Sequence, residues 1–179
     1  RIFLIRGVGG SGKTHLLRAF RHYTHEHGGY AGYLQMISQS GDYARYVLAY
    51  LIDALDQPYL NHHAPGSGLA RLARGLLDSI ELITEEEKSE FTEAPLEAVQ
   101  IIEWVDRLSN LAIQQGQYDD RDLDLLRALL FLLPTDRRMK SRVMKYLRCE
   151  DLTPSDRDLL GGLATLSMDG APLRVIASL

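Results

Sequence analysis

The hydrophobic residues of this chain follow two patterns: short continuous apolar runs near its start, and a helical period over most of the rest. Residues 2–5 and 33–38 form runs that suit buried strands of a parallel sheet. Between them, residues 13–27 place apolar side chains at helical spacing and end at a pair of glycines. Strand, helix and strand in this order predict a βαβ unit, and hence an α/β fold class with a parallel sheet.

From residue 42 onward the helical period dominates, which predicts a large all-α part. The predicted helices cover residues 42–56, 69–83, 96–115, 122–133 and 135–148, and a further helix begins at Thr153. The acidic run that begins at Thr84 has the spacing of a capping box, but it fits a mobile loop equally well. We therefore predict a helix-dominated chain with two parts, a core part at residues 1–56 and a helical insertion or subdomain at residues 57–179.

Composition and charge narrow the class of protein. The 179 residues are enough for one domain with a substantial core. The net charge of −4 argues against a uniformly basic nucleic-acid binder, though not against a local basic patch. The single cysteine, Cys149, excludes an internal disulfide and favours a reducing, cytoplasmic compartment. No apolar run reaches the length of a membrane span.

A glycine-rich segment lies between the first predicted strand and the first predicted helix. It reads GVGGSGKT and matches the phosphate-binding pattern G-x-x-x-x-G-K-[ST] without gaps. Glycines allow backbone conformations that turn N–H groups toward an anion, and the helix start adds the positive end of its dipole. The predicted nucleotide-binding residues are Gly7, Val8, Gly9, Gly10, Ser11, Gly12, Lys13, Thr14 and His15.

Two side chains of this segment have specific predicted roles. Lys13 is the predicted catalytic residue, because an ammonium at this position reaches the β- and γ-phosphates. Thr14 is the predicted metal ligand, because its hydroxyl is placed to bind Mg²⁺. The predicted cofactors are therefore ATP and Mg²⁺, and the loop alone does not distinguish ATP from GTP.

The sequence supplies no clear acidic partner for this loop. P-loop nucleotide hydrolases hold their metal with an acid at the end of a buried apolar strand. Asp53 and Asp78 lie in helical patterns, and Asp169 follows a helix. Residues 82–87 read as a helix end, since Thr84 interrupts the apolar run and the period before it is helical.

Residues 6–20 and 33–55 resemble AAA+ ATPases of the origin-recognition type, and they are also similar to ATPase components of bacterial antiphage defence systems such as BREX. The resemblance rests on GVGGSGKTHLLRAF, on the strand candidate YLQMIS, and on GDYARYVLAYLIDAL. The later run RVMKYLRCEDLTPSDRDLLGGLATLS is similar to the helical stretch that precedes the acidic strand in the defence-type members. By this resemblance the acidic strand would lie soon after Leu179, and both ends of the chain read as the ends of an excerpt.

The resemblance implies an ATPase that drives remodelling or signalling on nucleic acid, with protein partners or self-association through the helical insertion. On this interpretation we expect negligible hydrolysis by the present residues alone. A second hypothesis is a nucleotide-gated switch of the STAND type, in which bound nucleotide holds a conformation and turnover is slow. A small-molecule or nucleotide kinase is a third, and the helix-rich insertion fits it least.

Two further groups of side chains could carry chemistry. A basic stretch could contact the phosphates of nucleic acid, although the pattern favours a solvated helix face with one apolar stripe. Its predicted contact residues are Arg137, Arg138, Lys140, Arg142 and Lys145. His22 and His25 share one predicted helix but lack further ligands at supporting spacing, so we expect surface histidines there rather than a metal site.

Overall fold

The computed structural model describes residues 5–27, 29, 31–34, 43–57, 66–116, 118–161 and 163. Regular structure in these residues is helical throughout. The helices are α1 (Lys13–Glu26), α2 (Tyr43–Asp56), α3 (Gly68–Ser79), α4 (Glu85–Glu93), α5 (Ala98–Gln114), α6 (Leu123–Leu130), α7 (Arg137–Leu147) and α8 (Pro154–Leu159). A 3₁₀ turn at Asp120–Asp122 leads into α6.

The predicted α/β class with a parallel sheet is wrong, because no β-strand occurs among the described residues. The ends of the two predicted strands that are described, Ile5 and residues 33–34, have irregular backbone. The rest of those strands, residues 2–4 and 35–38, lies outside the described residues. A parallel strand needs paired neighbours on a sheet covered on both faces, and an apolar run alone does not supply them.

The helix starts are fixed by short-range hydrogen bonds that satisfy free backbone N–H groups. Thr84 forms a full capping box with Glu87, so the acidic run is the first turn of α4 and not a loop. Thr153 forms a second full capping box with Asp156 at the start of α8. The side chain of Asp136 accepts from the N–H groups of Arg138 and Met139 and begins α7.

The core is built around α6, which packs against α3, α5 and α7. Helix α2 packs against both α3 and α7. Leu126 and Leu129 of α6 and Phe131 just after it are fully buried. Leu76 on α3 and Val105 on α5 are also buried in the same hydrophobic cluster.

Helix α7 ends in a Schellman motif that is closed by a cysteine. Cys149 adopts a left-handed backbone conformation with φ of 56°, where glycine is usual. The N–H of Glu150 donates to the carbonyl of Lys145 at 2.9 Å, which completes the motif. The Cys149 side chain is buried, so it packs into the core where a glycine would leave space.

Arg127 joins three parts of the helical assembly. Its guanidinium on α6 lies 2.7 Å from Asp106 on α5 and 3.4 Å from Asp124. It also donates to the carbonyl of Gly161, which follows α8, at 3.1 Å. A second long-range ion pair joins α7 to α2, where Arg148 Nε donates to Asp53 at 2.7 Å.

Asp156 fixes α8 against α7. Its carboxylate is buried, accepts from the N–H of Thr153 at 3.2 Å, and contacts Arg142 and Lys145 of α7. Burial raises the pKa of the Asp156 carboxyl, but the hydrogen bonds from Thr153 and the charges of Lys145 and Arg142 outweigh it. The net result is a pKa below the ordinary value of an aspartate.

We expect Asp156→Asn to weaken the fold most at neutral pH. Because the folded-state pKa is lowered, the ionised carboxylate contributes stability above the unfolded-state pKa of about 3.9, and this contribution is lost as pH falls through the folded-state pKa. The wild type should therefore unfold at a higher urea concentration than Asp156→Asn, with the largest difference in midpoint at pH 7 and a smaller difference below about pH 4. Asp158→Asn removes an exposed carboxylate from the same helix and should unfold at the same urea concentration as the wild type. A difference in midpoint for Asp156→Asn that does not change with pH would contradict the assignment.

Candidate functional site

The glycine-rich segment forms an exposed loop that turns directly into α1. Gly10 and Gly12 have positive φ values of 78° and 83°, a region that side chains other than glycine rarely adopt. Gly12 is the N-cap of α1, and its carbonyl accepts from the N–H of Leu16 at 3.0 Å. Gly10 and Gly12 thus stand where the backbone conformation favours glycine.

The Lys13 ammonium lies inside the loop. It donates to the carbonyls of Gly7 and Val8, both at 2.7 Å, and to Ser11 Oγ at 3.2 Å. A Cβ atom built on Gly7 would lie 2.5 Å from Ser11 Oγ, so the loop closes too tightly there for a larger residue unless Ser11 shifts. The loop therefore folds around the charged end of Lys13.

Several backbone donors at this end of α1 have no backbone acceptor. In the described part of the chain, the N–H groups of Gly9, Gly10, Gly12, Lys13 and Thr14 donate to no carbonyl. No side chain caps this helix start, in contrast to α3, α4, α7 and α8. A row of free N–H groups beside a lysine ammonium is an environment suited to an anion such as a phosphate.

Among the described residues, Thr14 is the one predicted ligand of the metal ion. Its side chain is exposed at the start of α1. No group of three or more His, Cys, Asp or Glu residues that could hold a metal occurs where the structure describes the chain. Asp53 is paired with Arg148 and Glu87 caps α4, so two of the acids considered from the sequence are engaged elsewhere. Asp169 lies outside the described residues.

A cavity of about 430 Å³ adjoins the loop at Thr14 and runs between α1 and residues 31–33. On the helix side it is lined by Leu17, Phe20 and Arg21 in addition to Thr14. Phe20 is 52% exposed, and its apolar neighbours Leu16, Leu17 and Tyr23 on α1 are also exposed. This apolar face of α1 is therefore outside the hydrophobic core formed by α2–α7.

The basic residues of α7 do not form one free surface. Arg142 and Lys145 contact the buried Asp156, so they serve the packing of α8. Arg137 and Arg138 are exposed at the start of the helix, and Lys140 is half-buried. The interpretation of α7 as a nucleic-acid contact stays a prediction, with Arg137 and Arg138 as its accessible members.

The two histidines of α1 differ in environment. His22 is exposed and lies 3.0 Å from Glu26. His25 is buried, so the expectation of a surface histidine is wrong at this position. Burial lowers the pKa of His25, and the positive charge of Arg21 lowers it further. The spacing of the two histidines could not show this, because burial depends on contacts outside the helix.

None of the described helices is long and apolar enough to span a membrane. Comparison of the chain with models of known protein families, with characterised proteins and with solved structures finds no match.

Proposed function

We propose that this chain binds the phosphates of ATP through the loop at residues 7–14 and the first turn of α1. The observation that carries the proposal is the position of Lys13, whose ammonium lies within the loop. Among the described residues, several backbone N–H groups of the same segment donate to no carbonyl. Charge-assisted hydrogen bonds to phosphate oxygens are among the stronger polar interactions, and these donors belong to one short segment, residues 9–14.

The groups present fit a polyphosphate. The N–H groups of the loop would hold phosphate oxygens, Lys13 would exchange its contacts with Gly7 and Val8 for the β- and γ-phosphates, and the Thr14 hydroxyl would serve as a ligand of Mg²⁺. When bound, Mg²⁺ neutralises phosphate charge. His15 follows these residues in the first turn of α1.

The broader role that we propose is that of an ATP-binding segment of an AAA+-type ATPase, which drives remodelling or signalling on nucleic acid, as in antiphage defence. The support for this role is the resemblance of residues 6–20 and 33–55, together with the phosphate-binding loop. The alternative, a STAND-like switch with little turnover, is favoured by one observation. No carboxylate lines the described cavity beside Thr14, where an acid would be needed to complete the metal site.

Binding should depend on the length of the phosphate chain. We expect isothermal titration with Mg²⁺ present to show binding of ATP and ADP, and at least about tenfold weaker binding of AMP and adenosine, because the proposed donors meet the β- and γ-phosphates. Equal affinity for ATP and adenosine would contradict the site. Phosphate release measured on the same samples should be negligible on either interpretation. Measurable turnover would favour the ATPase and would show that the present residues include an acid that holds the metal.

A further inference from the structure

A second surface of the protein, remote in sequence from the loop, has the features of a docking site. It is a groove of about 260 Å³ between α4 and α5, which we call the Trp104 groove. It is lined by Glu90, Leu96, Gln100, Glu103, Trp104 and Arg107. Its apolar lining is Leu96 and Trp104, and the indole of Trp104 packs on the fully buried Phe91 with ring centres 6.0 Å apart.

The charge around this groove is strongly negative. Residues 85–107 contain eight carboxylates and two cations, Lys88 and Arg107, whereas the whole chain has a net charge of −4. One of the eight carboxylates, Asp106, pairs with Arg127 of α6. Both cations already have carboxylate partners, since Lys88 lies 2.7 Å from Glu85 and Arg107 lies 2.6 Å from Glu87. The carboxylates of Glu90 and Glu103, which line the groove, form no ion pair within the described part of the chain.

The protein's own Arg107 shows what kind of group this surface accepts. Its guanidinium carbon lies 5.1 Å from the centre of the Trp104 ring, over the indole. The same guanidinium donates to Glu87. A planar cation held between an aromatic face and a carboxylate is the arrangement by which arginine side chains are recognised. Glu90, Glu103 and the accessible part of the indole offer these same elements to a second guanidinium.

We propose that the Trp104 groove docks a basic, arginine-bearing segment of a partner protein. The negative charge around the groove favours a cationic partner. Nucleic acid and anionic lipid surfaces would be repelled by this excess of carboxylates. The apolar part contributed by Leu96 and Trp104 would receive the aliphatic stems of the arginine side chains, as such stems commonly cover apolar surface.

The groove contains its own reporter, since Trp104 is the only tryptophan of the chain. The probe is a tryptophan-free hexa-arginine peptide, titrated into the full chain while the emission of Trp104 is followed. We expect a saturable change that weakens with added salt, because the carboxylates are exposed to solvent. Hexa-lysine should bind more weakly because it lacks the planar guanidinium, and hexa-glutamate should not bind. If the anisotropy of labelled hexa-arginine shows saturable binding but the emission of Trp104 does not change, the proposal is overturned.

Paired variants separate docking in the groove from general attraction to an acidic protein. Measured by the anisotropy of labelled hexa-arginine, Glu90→Gln with Glu103→Gln should raise Kd roughly three- to tenfold. Asp151→Asn with Asp158→Asn removes the same charge from exposed positions before and within α8 and should leave Kd within roughly twofold. Equal weakening by both pairs would mean that only net charge matters, and the proposal would be overturned.

A substitution of Arg107 should strengthen peptide binding, whereas the substitutions of Glu90 and Glu103 should weaken it. Arg107→Gln removes the internal guanidinium that competes for the indole and should tighten hexa-arginine binding severalfold. Arg138→Gln removes the same charge from exposed α7 and should have little effect. Sedimentation of the protein without peptide identifies a different occupant. If the chain self-associates and Glu90→Gln with Glu103→Gln abolishes this, the groove belongs to a second copy and the assignment to a partner protein is wrong.

Discussion

Lys13→Ala is expected to weaken ATP binding by roughly 10- to 100-fold, which corresponds to the loss of a charged hydrogen-bond donor of about 1.5–3 kcal/mol. The reason is geometric, because the Lys13 ammonium is the one cationic side chain that the described loop encloses. Lys13→Arg should also bind poorly, since a larger planar group does not fit the space bounded by Gly7, Val8 and Ser11.

The fold should survive the change at Lys13. The side chain bonds only to the exposed loop, so the unfolding midpoint of Lys13→Ala should remain close to that of the wild type. Arg138→Ala removes the same charge from the exposed start of α7 and should bind ATP normally. Titration calorimetry on the wild type, Lys13→Ala, Lys13→Arg and Arg138→Ala tests the assignment, and undiminished ATP binding by Lys13→Ala would refute it.

Phe131→Ala is expected to destabilise the protein by about 3–5 kcal/mol, the usual effect of truncating a fully buried phenylalanine. Phe131 follows α6, is 0% exposed and belongs to the central hydrophobic cluster. For a chain of this size the loss would lower the melting temperature by roughly 6–20 °C. Urea and thermal unfolding followed by circular dichroism measure both quantities.

Phe20→Ala is the matched control, because the same side chain is removed from the exposed face of α1. Its effect should stay within about 0.5 kcal/mol, as for most surface substitutions. A large loss of stability from Phe20→Ala would show that the face of α1 packs against other residues, and a small loss from Phe131→Ala would show that the cluster around α6 is not the core.

The helices could be predicted from sequence because their signals are local. The helical period located α3 and α5–α7 to within a few residues, and the Thr153–Asp156 spacing identified the start of α8. The acidic run after Thr84 was ambiguous, since capping and solvation favour the same residue types there. The structure resolves it, because Glu87 turns back to the Thr84 backbone at 2.9 Å.

The parallel sheet was a wrong inference because strand formation depends on distant partners. A short apolar run specifies burial, but neither the neighbouring strand nor the layers that cover it can be read from that run. The same limit applies to α7, where the sequence shows six cations within residues 137–148 but not that Asp156 engages Arg142 and Lys145. In both cases the missing information concerns contacts between elements, which a local sequence pattern does not contain.

For the candidate phosphate site, the sequence predicts the backbone conformation of the glycines but not the position of the Lys13 side chain. The positive φ angles of Gly10 and Gly12 agree with the conformational freedom that the motif requires. The inward turn of Lys13 onto the carbonyls of Gly7 and Val8 depends on the closed shape of the loop, which the spacing of the motif does not describe.

The cysteine at the end of α7 makes one local motion of this protein accessible to chemistry. Cys149 is the only thiol of the chain, is buried, and itself has the left-handed conformation that follows α7. A thiol reagent reaches such a sulfur only when that terminus opens. The rate of its modification under native conditions therefore reports how often the end of α7 unwinds, next to the Arg148 that joins it to α2.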